Sequence, residues 1–183
     1  MNRYYFTQRQ PSDILYTRPD KVHVMSNFER ELVKSFNDAF SERGIDAIAY
    51  RIKQHRFSQQ MLDILVDSSD RQLYLGIECK SISPSKGVTA LYFSQHFSVD
   101  KKGAHQVEKM HEFIHRSGRT GYLAVELRRG SGKSKVAHFI AWSDVWRRYS
   151  TGQAGFPIHE IENITPVIRV DGKYAVENLF NRR

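Results

Sequence analysis

The stretch Met61-Leu62-Asp63-Ile64-Leu65-Val66-Asp67-Ser68-Ser69-Asp70-Arg71-Gln72-Leu73-Tyr74-Leu75-Gly76-Ile77-Glu78-Cys79-Lys80 decides the fold. It reads as two strands, Met61–Val66 and Leu73–Lys80, with a turn in the Asp67-Ser68-Ser69-Asp70 cluster between them. Side chains alternate along a strand. Leu73, Leu75, Ile77 and Cys79 therefore make one apolar face that should meet a core, while Tyr74, Gly76, Glu78 and Lys80 project from the other. Glu78 and Lys80 leave together at the strand's end, and Gly76 leaves room beside them.

Asp63 lies between Leu62 and Ile64 in an otherwise apolar run, where a carboxylate is costly unless paired or bound to a cation. The hairpin can bring it close to Glu78. Two carboxylates beside a lysine make a hard-oxygen site for Mg²⁺, with Mn²⁺ as substitute. Such an ion polarises a phosphodiester and lowers the pKa of a bound water. Lys80 would orient that water or stabilise charge in the transition state. Singly, a solvated strand end explains Glu78 and Lys80, and a structural hydrogen bond explains Asp63. The agreement of strand phase favours the joint site.

Upstream, Phe28, Leu32, Val33, Phe36, Ala39 and Phe40 recur at helical spacing from Ser26, and Gly44 supplies the stop. Glu29 falls near the middle of that apolar stripe. Ser26-Asn27-Phe28-Glu29 fits a capping box, and a fourth oxygen near the metals is the functional reading. Ala47–Ile52 reads as another strand.

Downstream, residues 81–103 read as a loop rich in Ser, Gly and Lys, followed by a helix over Ala104–Ser117 that closes at Gly118. Gln106 sits at the edge of that helix's buried face (Val107, Met110, Phe113, Ile114), where it could meet a metal-bound water or a DNA phosphate, or be a plain buried amide. Gly121–Leu127 and Val136–Trp142 read as strands. Ser143–Tyr149 reads as a short helix with Ser143 as N-cap, and Val167–Val170 and Tyr174–Phe180 are later apolar segments. The order α-β-β-β-α-β-β-α implies an α/β fold, a mixed central sheet flanked by helices. Residues 1–25 form an arm in which Tyr4, Tyr5, Phe6 and Tyr16 stand among Arg3, Arg9 and Arg18. Such an arm could stack on bases or pack on protein.

The 183 residues are 40% hydrophobic and 26% charged, enough for one domain with a real core. No apolar run nears the roughly 20 residues of a membrane span, and the first residues lack a signal peptide's apolar centre. The single cysteine, Cys79, excludes an internal disulfide framework and a cysteine-rich metal site, so a cytoplasmic, reducing setting is expected. A net charge of +8 without a membrane anchor points to nucleic acid. His105, His111 and His115 lie on a polar helix face without zinc spacing and are expected to be solvated. Gly130-Ser131-Gly132-Lys133-Ser134 is no P-loop, since Leu127 stands where the first glycine belongs and a strand follows. It reads as a turn whose Arg128, Arg129, Lys133 and Lys135 could hold a DNA backbone.

This pattern resembles the PD-(D/E)XK nuclease superfamily, and within it the archaeal Holliday-junction resolvases. The resemblance rests on Phe28-Glu29-Arg30-Glu31-Leu32-Val33, Leu62-Asp63-Ile64-Leu65, Ile77-Glu78-Cys79-Lys80 and Glu112-Phe113…Gly121-Tyr122-Leu123-Ala124-Val125, over roughly residues 26–142. Leu62 stands where the family name has proline. His105-Gln106-Val107-Glu108-Lys109-Met110 is similar to the bacterial resolvases, although Tyr50–Gln60 is shorter than their insertion. The resemblance implies a restriction-endonuclease-like α-β-β-β-α-β core; the nuclease domain is expected over residues 26–150, with 151–183 as a C-terminal extension packed on it. It implies a Mg²⁺-dependent endonuclease that nicks a four-way DNA junction symmetrically as a homodimer. Glu29, Asp63 and Glu78 become metal-associated carboxylates, joined by the Cys79 backbone carbonyl. Lys80 becomes the catalytic lysine and Arg30 a phosphate-binding helper. Lys53, Arg56, Lys86, Lys101, Lys102, Gln106, Arg128, Arg129 and Lys133 are the other expected DNA contacts. The alternatives are a restriction- or repair-type nuclease and a non-catalytic DNA-binding subunit. The dimer contact is expected at Tyr4–Phe6, Leu91-Tyr92-Phe93 or Trp142–Trp146, each of which could instead be local core.

Overall fold

The computed structural model describes residues 27–52 and 61–180. Helix α1 (Asn27–Arg43) forms because Phe28, Leu32, Phe36 and Phe40 recur one turn apart, and all four are buried. It ends in a Schellman cap. Gly44 takes φ +62°, the Ile45 N–H donates to the Phe40 carbonyl at 2.9 Å, and the Gly44 N–H donates to that of Ser41 at 3.3 Å. The Asn37 amide bonds both the N–H and the carbonyl of Ala49 at 2.8 Å, pinning α1 to the first strand.

That strand, β1 (Ala47–Arg51), pairs antiparallel with β2 (Ile64–Ser68), which pairs antiparallel with β3 (Leu75–Ile82). A short strand β4 (Ala90–Tyr92), a one-turn helix α2 (Phe93–His96) and helix α3 (Gln106–Ser117) carry the chain across the sheet. Strand β5 (Thr120–Leu127) then lies parallel to β3, and β6 (Val136–Ala141) returns antiparallel to β5. The remaining elements are α4 (Trp142–Ser150), β7 (Gly155–Pro157), α5 (Ile158–Glu162), β8 (Pro166–Val170) and β9 (Lys173–Tyr174). Among the described residues, seven strands form one sheet in the order β1-β2-β3-β5-β6-β8-β9, and β4 pairs with β7 in a second. This is the expected mixed α/β architecture, and α1-β1-β2-β3-α3-β5 gives the expected core order.

Each face of the sheet carries a core. On one, α1 and Tyr174 pack against Ile64, Leu75, Ile77, Cys79 and Phe139. On the other, α3, α4 and the small sheet pack against Leu62, Leu123, Val125 and Ile140. Leu73, Leu75, Ile77 and Cys79 all join the α1 core, as strand phase requires. The opposite face of β3 is covered too, so Glu78 is only 2% exposed. Gly76 serves close packing rather than open room: a Cβ there would lie 2.6 Å from Cδ1 of Leu62.

The expected loop at 81–103 is largely structured. β3 runs on to Ile82, and Ala90, Leu91, Phe93 and Phe97 are buried. The apolar triplet of β4 is too short to read alone, because its partner β7 lies far downstream. Helix α4 starts at Trp142 directly off β6, with Ala141 as N-cap and no side-chain cap, so Ser143 does not serve as one. His115 is exposed as expected, but His105 and His111 are not simply solvated. The His105 Nδ1 accepts from the Val107 N–H (3.2 Å) in a capping box with Glu108, and its ring lies against Tyr149. His111 stacks face to face on Trp146 at 3.8 Å. Of the expected dimer faces, Leu91, Phe93 and Trp142 are local core, and Tyr4–Phe6 lies outside the described residues. No described helix is long and apolar enough to cross a membrane.

Candidate active site at the end of the sheet

The end of β1, the residue before β2 and the C-terminal half of β3 meet at one end of the sheet. Asp63 stands just ahead of β2, where its N–H donates to the Ile77 carbonyl (3.1 Å) and its carbonyl accepts from the Ile52 N–H (3.2 Å). The backbone is thus stitched to both neighbouring strands before the side chain does anything. The Asp63 Oδ2 accepts from the Cys79 N–H at 2.7 Å, which turns the carboxyl toward β3.

Glu78 and Lys80 share a strand face, as the alternation demands, and the Lys80 ammonium donates to the Glu78 Oε1 at 2.5 Å. The same ammonium lies 4.7 Å from the centre of the Phe97 ring. Burial pushes the Glu78 carboxyl up to about 8; Lys80 opposes the rise and Asp63 adds to it. Asp63 is raised for the same first reason, against the Cys79 N–H and Lys80. Burial works against the Lys80 charge, yet Glu78 and Asp63 outweigh it and hold that amine above its ordinary value. Lys80 is therefore a fixed cation at neutral pH.

Glu29, in the first turn of α1, is half-buried and forms an ion pair with Arg51 at the end of β1. Burial raises its carboxyl, Asp63 raises it further and Arg51 opposes both. The Ser26 half of the expected capping box lies outside the described residues. The site thus sets three carboxylates (Glu29, Asp63, Glu78) against two cations (Arg51, Lys80).

A magnesium ion fits this donor set. All three carboxyls, Glu29, Asp63 and Glu78, are raised first by burial, the state that a bound divalent charge reverses. Among the described residues no three His, Cys, Asp or Glu side chains form a ready metal cage. Mg²⁺ takes one or two carboxylates and fills its octahedron with water and substrate oxygens, whereas a structural zinc needs a closed cage.

The expected DNA contacts divide. Arg30, Lys86, Lys101, Lys102 and Lys133 are exposed. Arg128 is engaged by Glu126, and Arg129 by Glu162 at 2.7 Å. Gln106 turns to the preceding loop: its Oε1 accepts from the Ser98 N–H at 3.1 Å. Lys53 and Arg56 lie outside the described residues.

Sequence reading missed Arg51, Phe97 and Glu126. Arg51 continues the Ala47–Ala49 stripe that faces α1, and an arginine ending a buried small-residue stripe beneath Glu29 was the available signal. Glu126 is fully buried between the Ser81 hydroxyl (2.9 Å) and the Tyr174 hydroxyl (2.8 Å), with Lys135 at 3.6 Å. It backs the strand segment that carries Lys80. Nothing local in the sequence marks it, because Tyr174 arrives from β9.

No family model and no curated relative matches this chain by sequence. Among solved structures it is similar to Archaeoglobus fulgidus Hjc, a Holliday junction resolvase from an archaeal hyperthermophile. The identity is 20%, over 60% of this chain and 76% of that one, with a TM-score of 0.35. A likeness that weak says nothing of what this chain does.

Proposed function

We propose that this chain is a Mg²⁺-dependent endonuclease that resolves four-way DNA junctions by two symmetric nicks. One observation carries the reading: Asp63 and Glu78, both largely buried, converge beside a lysine that is kept protonated. Asp63 and Glu78 would hold the ion, with Glu29 and the Cys79 carbonyl as further oxygens. When bound, Mg²⁺ neutralises charge on the scissile phosphate and acidifies a bound water.

Held by Glu78 and by the Phe97 ring, the Lys80 ammonium would place a positive charge beside the scissile phosphate. The water oxygen bonds to phosphorus as one P–O ester bond breaks. The water gives up a proton and the leaving oxygen takes one. The net charge of +8 supplies the sequence-independent attraction for the polyanion. Two symmetric nicks from one site per chain require a two-fold dimer.

The test offers purified protein, with Mg²⁺, a labelled four-way junction, linear duplex, flap and single strand in parallel. Paired nicks confined to the junction support the reading. Cutting of linear duplex selects a restriction- or repair-type nuclease, and binding without cutting in Mg²⁺ selects a non-catalytic subunit.

A further inference from the structure

The segment between α2 and α3 is a built hairpin. Val99 and His105 bridge antiparallel, the Ser98 carbonyl accepts from the Gln106 N–H at 2.8 Å, and the Gln106 side chain returns to the Ser98 N–H. At the tip, the Asp100 carboxylate accepts from the N–H groups of Lys102 (2.8 Å) and Ala104 (2.9 Å) and is ion-paired with Lys109. Lys109 and the two amides hold that carboxyl below the usual carboxylate range. Gly103 makes the turn at φ +85°, its N–H on the Asp100 carbonyl.

This rigid frame displays Lys101 and Lys102 to solvent, and neither has an ion-pair partner among the described residues. The acid beside them is consumed internally, so the tip presents net positive charge. The base of the hairpin carries Phe97, which is buried and lies under the Lys80 ammonium. Four residue steps lead from Phe97 to Lys101, at most about 14 Å of backbone. The hairpin thus joins the Lys101 and Lys102 ammonium groups to the packing partner of Lys80 through one short hydrogen-bonded segment.

We infer that the 97–105 hairpin is a docking finger for the DNA backbone, in which Lys101 and Lys102 grip phosphates flanking the one at Lys80. The inference rests on the nuclease reading for the identity of the polymer, and the test separates the two. A rigid two-charge tip fixed to the lysine's own packing partner would set the distance between the held and the cleaved phosphate.

Fluorescence anisotropy with a labelled duplex and a labelled four-way junction, in EDTA so that nothing is cut, reads binding alone. Substituting Lys101→Ala and Lys102→Ala together should weaken binding about tenfold at moderate salt. It should flatten the slope of log affinity against log salt by about 1.8, two contacts at about 0.9 each. The Lys101→Arg, Lys102→Arg pair should restore the slope. A control removes equal charge at Lys34 and Lys173, which both sit 2.7 Å from Asp38, and should leave the slope unchanged.

A slope in the alanine pair within 0.3 of wild type, or one matched by the control, overturns the finger and leaves the nuclease reading standing. The expected slope change in a protein that never cuts with Mg²⁺ supports the finger and sinks the nuclease. Failure of the wild type to bind DNA at low salt overturns both.

Discussion

The Lys80 ammonium lies 2.5 Å from Oε1 of Glu78, a carboxyl that is 2% exposed, so cation and acid are held together in a space nearly closed to water. The pair leans on Asp63, whose own acceptor is engaged by the backbone between them at Cys79. Charge at this site is balanced by neighbours rather than by solvent, which makes each member measurable.

Asp63→Asn and Glu78→Gln should each lower cleavage by a factor of 10³ or more, on the order of the loss of an essential electrostatic group. DNA affinity should stay within about threefold, because phosphate contacts supply it. Turnover by either variant at the parent rate would remove that carboxylate from the mechanism.

The proton on Glu78 sets a pH dependence. Below the ordinary value of 4.5 the carboxyl is protonated both folded and unfolded. Between there and about 8 the folded protein keeps a proton that the unfolded chain has lost, so this group's contribution to stability falls as pH rises. Urea unfolding in EDTA should show that decline across the window, and Glu78→Gln should flatten it. Mg²⁺ should raise the melting temperature more at pH 8.5 than at pH 6, since binding expels the proton. Equal shifts at both pH values would place the ion elsewhere.

Glu29→Gln removes the carboxylate ion-paired with the half-buried Arg51 guanidinium, whose Nε has no hydrogen-bond partner among the described residues. The variant should lose about 1–3 kcal/mol of stability, and adding Arg51→Met should return most of it. Cleavage should remain low in both. Calorimetry beside the nicking assay separates the effects, and full activity in Glu29→Gln would reduce Glu29 to an ion-pair partner.

Gly155→Ala tests the small sheet. Gly155 sits at φ +153°, and a Cβ there would lie 2.0 Å from the Leu91 carbonyl oxygen. Opening the β4–β7 pair should cost about 2–4 kcal/mol. A melting temperature unchanged from the parent would mean that the two strands part without loss.

Light scattering at micromolar concentration should give twice the chain mass, free or on junction DNA. A strict monomer in both states would exclude symmetric nicking by two identical sites.

The fold and the three carboxylates were legible because each rests on a local pattern. The four-residue rhythm from Phe28 to Phe40 and the alternation from Leu73 to Lys80 each fix a face without knowledge of any partner. What escaped depends on distant pairing. Leu91 needs Phe156 to become a strand residue, and Glu126 needs Tyr174 to become a buried acid. Ser143 looked like a cap because the strand was read through Trp142, whereas α4 already starts at Trp142 with Ala141 as its N-cap.

Tyr174 donates its hydroxyl to Glu126, which is 48 positions earlier, and its backbone N–H donates to the Ser35 hydroxyl oxygen, while its ring meets Phe28 edge-on at 5.4 Å. During synthesis at about 5–20 residues per second, Glu126 waits on the order of 2–10 s for that partner. The wall behind Lys80 closes only once β9 has been made, well after the strand that carries the lysine. A nascent chain therefore carries the carboxylates and the lysine before it holds the Tyr174–Glu126 contact behind them.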